Sequence, residues 1–147
     1  MTHEEFLSAL DQKRIVSAIG DAEGHTSGEI RVHVQKRVGA TDIRNLAERT
    51  FERLGMTKTL LRNGVLLCIA SEDRQFVILG DKGINEKVPA DFWDDVIANL
   101  TNRFKAGEFT DGIIDAIEAA GEHMEKYFPR SGKDVNELPD EIDVSDD

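Results

Sequence analysis

The stretch Gly64-Val65-Leu66-Leu67-Cys68-Ile69-Ala70, followed by Ser71-Glu72-Asp73-Arg74 and Gln75-Phe76-Val77-Ile78-Leu79-Gly80, decides the fold. Its first seven residues show no polar alternation, which predicts a central strand covered on both faces. The next four predict a tight turn, and the last six a returning hairpin partner. Upstream, Glu29-Ile30-Arg31-Val32-His33-Val34-Gln35 alternates strictly. That period of two predicts a strand with one buried face and one polar face. Between the two strands, Ile43, Leu46, Ala47, Thr50, Phe51 and Leu54 recur at helical spacing, with Thr41 or Asp42 as the cap and Gly55 as the stop. Two strands joined by a helix are expected to lie parallel through a right-handed crossover.

Working outward, Asp11 is a good cap for a helix running to about Gly24, with Ile15, Ile19 and Ala22 on its apolar face and Val16 beside it. Phe6, Leu7 and Leu10 precede it as a separate short helical turn. Pro89 suits the first position of a helix whose stripe is Trp93, Val96, Ile97, Leu100 and Phe104, ended by Gly107. Thr110 is expected to cap a last helix with Ile113, Ile114, Ile117, Ala120, Met124 and Phe128 inward. The order α-β-α-β-β-α-α predicts an α/β fold, a three-layer α/β/α sandwich around a small mixed sheet. Three strands make a small sheet and leave room for a fourth.

At 147 residues the chain has the length of one domain. A domain of that size buries about 68–70% of the surface its unfolded chain exposes. One cysteine excludes a disulfide framework and any cysteine-rich metal site. The longest apolar run is six residues, far short of a membrane span. The start Met1-Thr2-His3-Glu4-Glu5 has neither a basic nor an apolar signal region, so a cytoplasmic location is expected. The net charge is −11, and seven of the acids, with no lysine or arginine among them, fall in residues 134–147. Residues 1–129 therefore read as a single domain and 130–147 as an acidic, flexible tail. An acidic body without a basic, aromatic-rich stripe argues against nucleic-acid binding.

Ser27-Gly28-Glu29-Ile30-Arg31-Val32, Asn63-Gly64-Val65-Leu66-Leu67, and Asp73-Arg74 before a strand ending Ile78-Leu79-Gly80-Asp81-Lys82-Gly83-Ile84 form a familiar series. With Phe104-Lys105-Ala106-Gly107-Glu108-Phe109 and the Gly112-Ile113 helix, this series resembles the TPM domain family over about residues 11–129. The family takes its name from thylakoid-lumen, photosystem II repair and animal membrane-protein members. The Pro-Ala-Asp-Phe-Trp segment and the Tyr127-Phe128-Pro129 ending resemble its small soluble bacterial branch. The resemblance implies a three-layer α/β fold. It also implies one of three activities: an acid phosphatase, a calcium- or magnesium-binding module, or an auxiliary factor for membrane complexes.

The residues themselves offer few catalytic constellations. Cys68-x5-Arg74 matches the spacing of a cysteine phosphatase loop, but Cys68 lies inside an apolar strand and Glu72 and Asp73 would repel the anion. Cys68 is expected to be core. Gly80-Asp81-Lys82-Gly83 reads either as a turn or as an oxygen-rich cation loop. The inferred strand order brings this segment beside the start of the first strand, so Glu29, Asp81 and Glu86 are candidate ligands for Ca²⁺ or Mg²⁺. Glu29 pairing with Arg62 or Lys82 is the plainer alternative. The opposite end of the sheet holds Asp42, Glu72, Asp73 and Arg74, and the rule for open α/β sheets favours ligands there. His3, His25, His33 and His123 are scattered, with His33 on the polar strand face. Asp94-Asp95 reads as a solvated helix face. The expected function is a soluble module binding a divalent cation and acting through a protein partner. A phosphomonoesterase, implied only by the resemblance, and a structural adaptor tethered by the acidic tail are the alternatives.

Overall fold

The computed structural model describes residues 1–130 and 142–147. Its elements in chain order are α1 (His3–Ala9), α2 (Gln12–Glu23), β1 (Glu29–Gln35), α3 (Ile43–Arg53), β2 (Gly64–Ala70), β3 (Gln75–Gly80), α4 (Lys82–Lys87), α5 (Asp94–Lys105), α6 (Phe109–Glu125) and β4 (Asp143–Ser145). The four strands lie in the order β3-β2-β1-β4. β1 and β2 are parallel from Glu29↔Gly64 to Gln35↔Ala70. β2 and β3 form the antiparallel hairpin, with Val65 opposite Gly80.

The layers follow from residue alternation. Ile30, Val32 and Val34 of β1 and Val65, Leu67 and Ile69 of β2 face the large core built with α2, α5 and α6. Leu66 and Cys68 face the smaller core with Ala47 and Phe51 of α3 and with Met56. Helices therefore cover both faces of a mixed sheet, as the element order predicts. Asp11 caps α2 by accepting from the Arg14 amide, and Asp42 caps α3 by accepting from the Asn45 amide.

Four expectations are corrected. First, α4 stands where a turn is expected after β3, because Asp81 takes the cap position of a short helix. Gly83 at its start is required: a side chain there would strike the Leu61 and Arg62 carbonyl oxygens. Second, the helix expected from Pro89 begins at Asp94. Third, Thr110 does not cap α6; its hydroxyl accepts from the Asp11 amide and ties the start of α2 to α6. Fourth, the fourth strand comes from the acidic tail. Asp143–Ser145 pairs parallel with His33–Gln35, so the far end of the segment read as an acidic tail joins the sheet. Residues 131–141 of that segment lie outside the described residues. No helix among the described residues is long and apolar enough to cross a membrane.

Candidate functional site

β4 changes the character of β1. β2 flanks β1 on one side and β4 flanks its last three residues on the other, and the polar face of β1 is buried. Glu29, Arg31 and His33 are 2%, 6% and 0% exposed. Charged groups tolerate such burial only when partnered, and Glu29 and Arg31 each have a polar partner. This polar row runs beside α3 towards the carboxyl end of the parallel strands.

At that end the row closes on β4. The His33 ring places Nδ1 2.6 Å from an Asp143 carboxylate oxygen and Nε2 2.9 Å from Gln35 Oε1. The Gln35 amide is oriented by its own nitrogen, which donates to the Arg37 carbonyl at 3.0 Å. Both ring nitrogens of His33 thus lie within hydrogen-bond distance of side-chain oxygens. Arg53, at the end of α3, donates to the same Asp143 oxygen at 2.8 Å. Burial pushes the Asp143 carboxyl upward, but the hydrogen bonds from Arg53 and His33 outweigh it and hold the group below its ordinary value.

A cleft of about 590 Å³ opens beside this cluster, between α3 and β4. Arg49, Thr50 and Arg53 of α3 line one wall, with Gln35, Ser145 and Asp147 opposite. A second pocket of about 600 Å³ lies across the sheet, lined by Phe6, Phe76, Phe104 and Phe109, with Arg74 and Lys105 also contributing. Size and cationic groups are common to both, and position sets the first cleft apart. Ligand sites in open α/β sheets lie outside the carboxyl ends of the strands where the strand order reverses. Here β2 lies on one side of β1 and β4 on the other, which is such a reversal.

The opposite end holds the carboxylates singled out as cation ligands. Glu29 pairs with Gly64, and the Asp81 amide donates to the Gly64 carbonyl, so the two acids flank Gly64 on strands either side of β2. Two strand spacings, about 10 Å, separate their backbones. Asp81 is already engaged: Arg62 donates to both its oxygens at 2.6 and 2.9 Å, and the Lys82 amide donates at 2.8 Å. Arg62 therefore pairs with Asp81, not with Glu29. Glu86 is exposed on α4. Among the described residues no three His, Cys, Asp or Glu side chains form a group able to hold a metal ion.

The acids at the carboxyl end also have structural work. Asp73 accepts from the Val38 amide at 2.7 Å, and Glu72 accepts from the His3 amide at 2.8 Å. That bond holds the Glu72 carboxyl below its ordinary value. Cys68 is fully buried, and burial pushes its thiol up to about 12, so no thiolate nucleophile forms there. The histidines have a pattern that spacing did not reveal: each sits beside a carboxylate. His3 faces Asp146 at 3.4 Å, His25 faces Glu125 at 3.8 Å, His33 faces Asp143 and His123 faces Asp95 at 3.1 Å. His123 holds the Asp95 carboxyl low, so the solvated Asp94-Asp95 face is partly an ion pair.

Against known proteins, a family model described as the TPM domain matches residues 1–123. The NMR structure of BA42 protein from the psychrophilic bacterium Bizionia argentinensis sp. nov. is 47% identical, with a TM-score of 0.86 over 91% of this chain and 92% of that one. The solution NMR structure of the N-terminal domain of cg2496 protein from Corynebacterium glutamicum shares the fold at 16% identity, with a TM-score of 0.61 over 81% of this chain and 74% of that one. No curated protein matches the chain.

Proposed function

The chain belongs to the TPM domain family, and on that premise we propose that it is a binding module that acts through a protein partner at the carboxyl end of its parallel strands. One observation carries this reading. The open cleft of about 590 Å³, with Arg49 and Arg53 on its wall, sits where the strand order reverses. That volume and position suit recognition of a ligand. The arginine forks suit carboxylate or phosphate groups. Ala40, exposed on the cleft's rim, gives a point for testing it. A photo-crosslinking residue at position 40 should yield a discrete adduct with one protein in cells, lost on Arg53→Glu. The same residue at Leu60, 87% exposed in the loop before β2, should yield none. Adducts from position 60 alone would place recognition at the other end and sink the reading.

Divalent-cation binding is a second reading, favoured by the placement of Glu29 and Asp81 on either side of Gly64. Its cost is specific: Asp81 must exchange two hydrogen bonds from Arg62 for the ion. Titration with Ca²⁺ and Mg²⁺ should then shift amides in residues 27–30 and 80–86 together, and Asp81→Asn should weaken the response. Shifts confined to residues 142–147 would mark loose collection by the acidic segment instead. Phosphomonoester hydrolysis through Cys68 has no support, since the thiol is buried and protonated.

A further inference from the structure

We propose that the outer edge of β1 is a docking groove for an extended acidic segment of the protein partner, and that the chain's own β4 occupies this groove as a resident competitor. The inference rests on the partner-binding reading above and names the chemistry of that partner.

Three observations carry it. The first is pairing length. β1 has seven residues, and β4 covers only His33, Val34 and Gln35. The second is the kind of contact. Val144, the central residue of β4, is 40% exposed, so little apolar burial holds the strand. Apart from the partly buried Ile142 against the larger core, the hold is polar: His33 and Arg53 on Asp143, the Arg37 amide on the Asp147 carbonyl at 3.1 Å, and His3 beside an Asp146 side chain that is 91% exposed. Short, polar and partly solvated attachments open at low free energy. The third is complementarity beyond what β4 uses. The buried His33 ring and the Arg53 fork, both on one Asp143 oxygen, select a carboxylate at that position. Beyond Ser145 the cleft continues to Arg49, with room for a longer acidic side chain than serine.

An extended peptide adding to a sheet edge takes its affinity from main-chain hydrogen bonds and its specificity from alternate side chains. Asp143 and Ser145 lie on the α3 side and Val144 opposite Val34. The preferred partner segment is therefore acidic, apolar, acidic in successive positions. The tethered β4 competes at an effective concentration of order millimolar, so the intact chain should accept a free peptide only weakly.

The test uses the full chain, ¹⁵N-labelled, with Asp143→Asn to loosen β4. The probe is the synthetic peptide Ile-Asp-Val-Ser-Asp-Asp, which reproduces residues 142–147. Saturable shifts are expected at the amides of His33, Gln35 and Arg37, with the β3 amides unmoved. The wild-type chain should respond at least tenfold more weakly. So should the variant when the peptide's first aspartate is replaced by asparagine. Unmoved β1 amides, or equal binding of the asparagine peptide, would overturn the proposal. Concentration-dependent dimerisation of the variant through the same amides would assign the groove to a second copy and also overturn it. If Asp143→Asn loses its folded spectrum, Val144→Ser with Asp146→Asn loosens β4 from exposed positions with the same readout. A peptide that fails here while position 40 still crosslinks a partner overturns the acidic-strand groove alone. Failure at position 40 overturns the binding reading.

Discussion

The two ends of the β1–β2 pair use charge differently. At the amino end the charges are sealed by near neighbours: Asp81 caps its own helix and takes both hydrogen bonds from Arg62, nineteen residues away. At the carboxyl end, Asp143 is held by His33 and Arg53 across 110 and 90 residues of sequence, by a strand of three residues. The first end is part of the fold's own closure. The second can come apart with little loss to either core: β4 places no buried residue in them, and beside it the partly buried Ile142 packs on the larger one. A surface that opens without unfolding is one that a partner can use.

The largest effect expected from breaking this contrast is at the sealed end. Gly83→Ala puts a methyl group against two backbone carbonyls, so it should cost about 1–3 kcal/mol in urea unfolding. Its shift changes should centre on α4 and the start of β2. Asp81→Ala removes the α4 cap and should cost about 1 kcal/mol from that loss alone. If either substitution instead released β4, the two ends would not be independent.

The strands at the middle of the sheet were legible because their signals are local. A continuous apolar run marked Gly64–Ala70 and a strict alternation marked Glu29–Gln35, and the structure has both with the same limits. The parallel pairing and the hairpin followed from the connections. What sequence reading missed lacks such signals. α4 has six residues, including Gly83 and Asn85, too short for helical periodicity to register. β4 is Asp-Val-Ser within an acidic stretch, and only its pairing with β1 makes it a strand. The polar face of β1 was visible, but its burial was not, and the partner of His33 at its far end comes from 110 residues downstream. The four histidine–carboxylate pairs were equally hidden, since three of them span 100 residues or more and the fourth joins separate helices. A scan pairing each histidine with the acids of residues 143–147 could have found two of the four.

Acid should undo the carboxyl end first. The Asp143 carboxyl lies below its ordinary value of 3.8 in the folded chain. A depressed carboxyl stabilises the folded arrangement above its ordinary value and stops doing so as pH falls through the folded one. β4 docking should therefore be intact at neutral pH and weaken progressively as pH falls below 3.8, seen as shifts of Val34 and Gln35 before the β3 amides move. Simultaneous loss of all amides would mean that docking and fold are one unit.

The smallest expected effect on global stability is that of Asp143→Asn, because it acts on the local docking of β4 and leaves the buried clusters intact. The central claim, that the carboxyl end opens while the amino end stays sealed, is tested most directly by native-state hydrogen exchange on the wild-type chain. The amides of residues 143–145 should exchange through a low-energy local opening that is insensitive to mild denaturant. Those of Gly64–Ala70 should exchange only with global unfolding. Protection of 143–145 equal to that of Gly64–Ala70 would contradict the account.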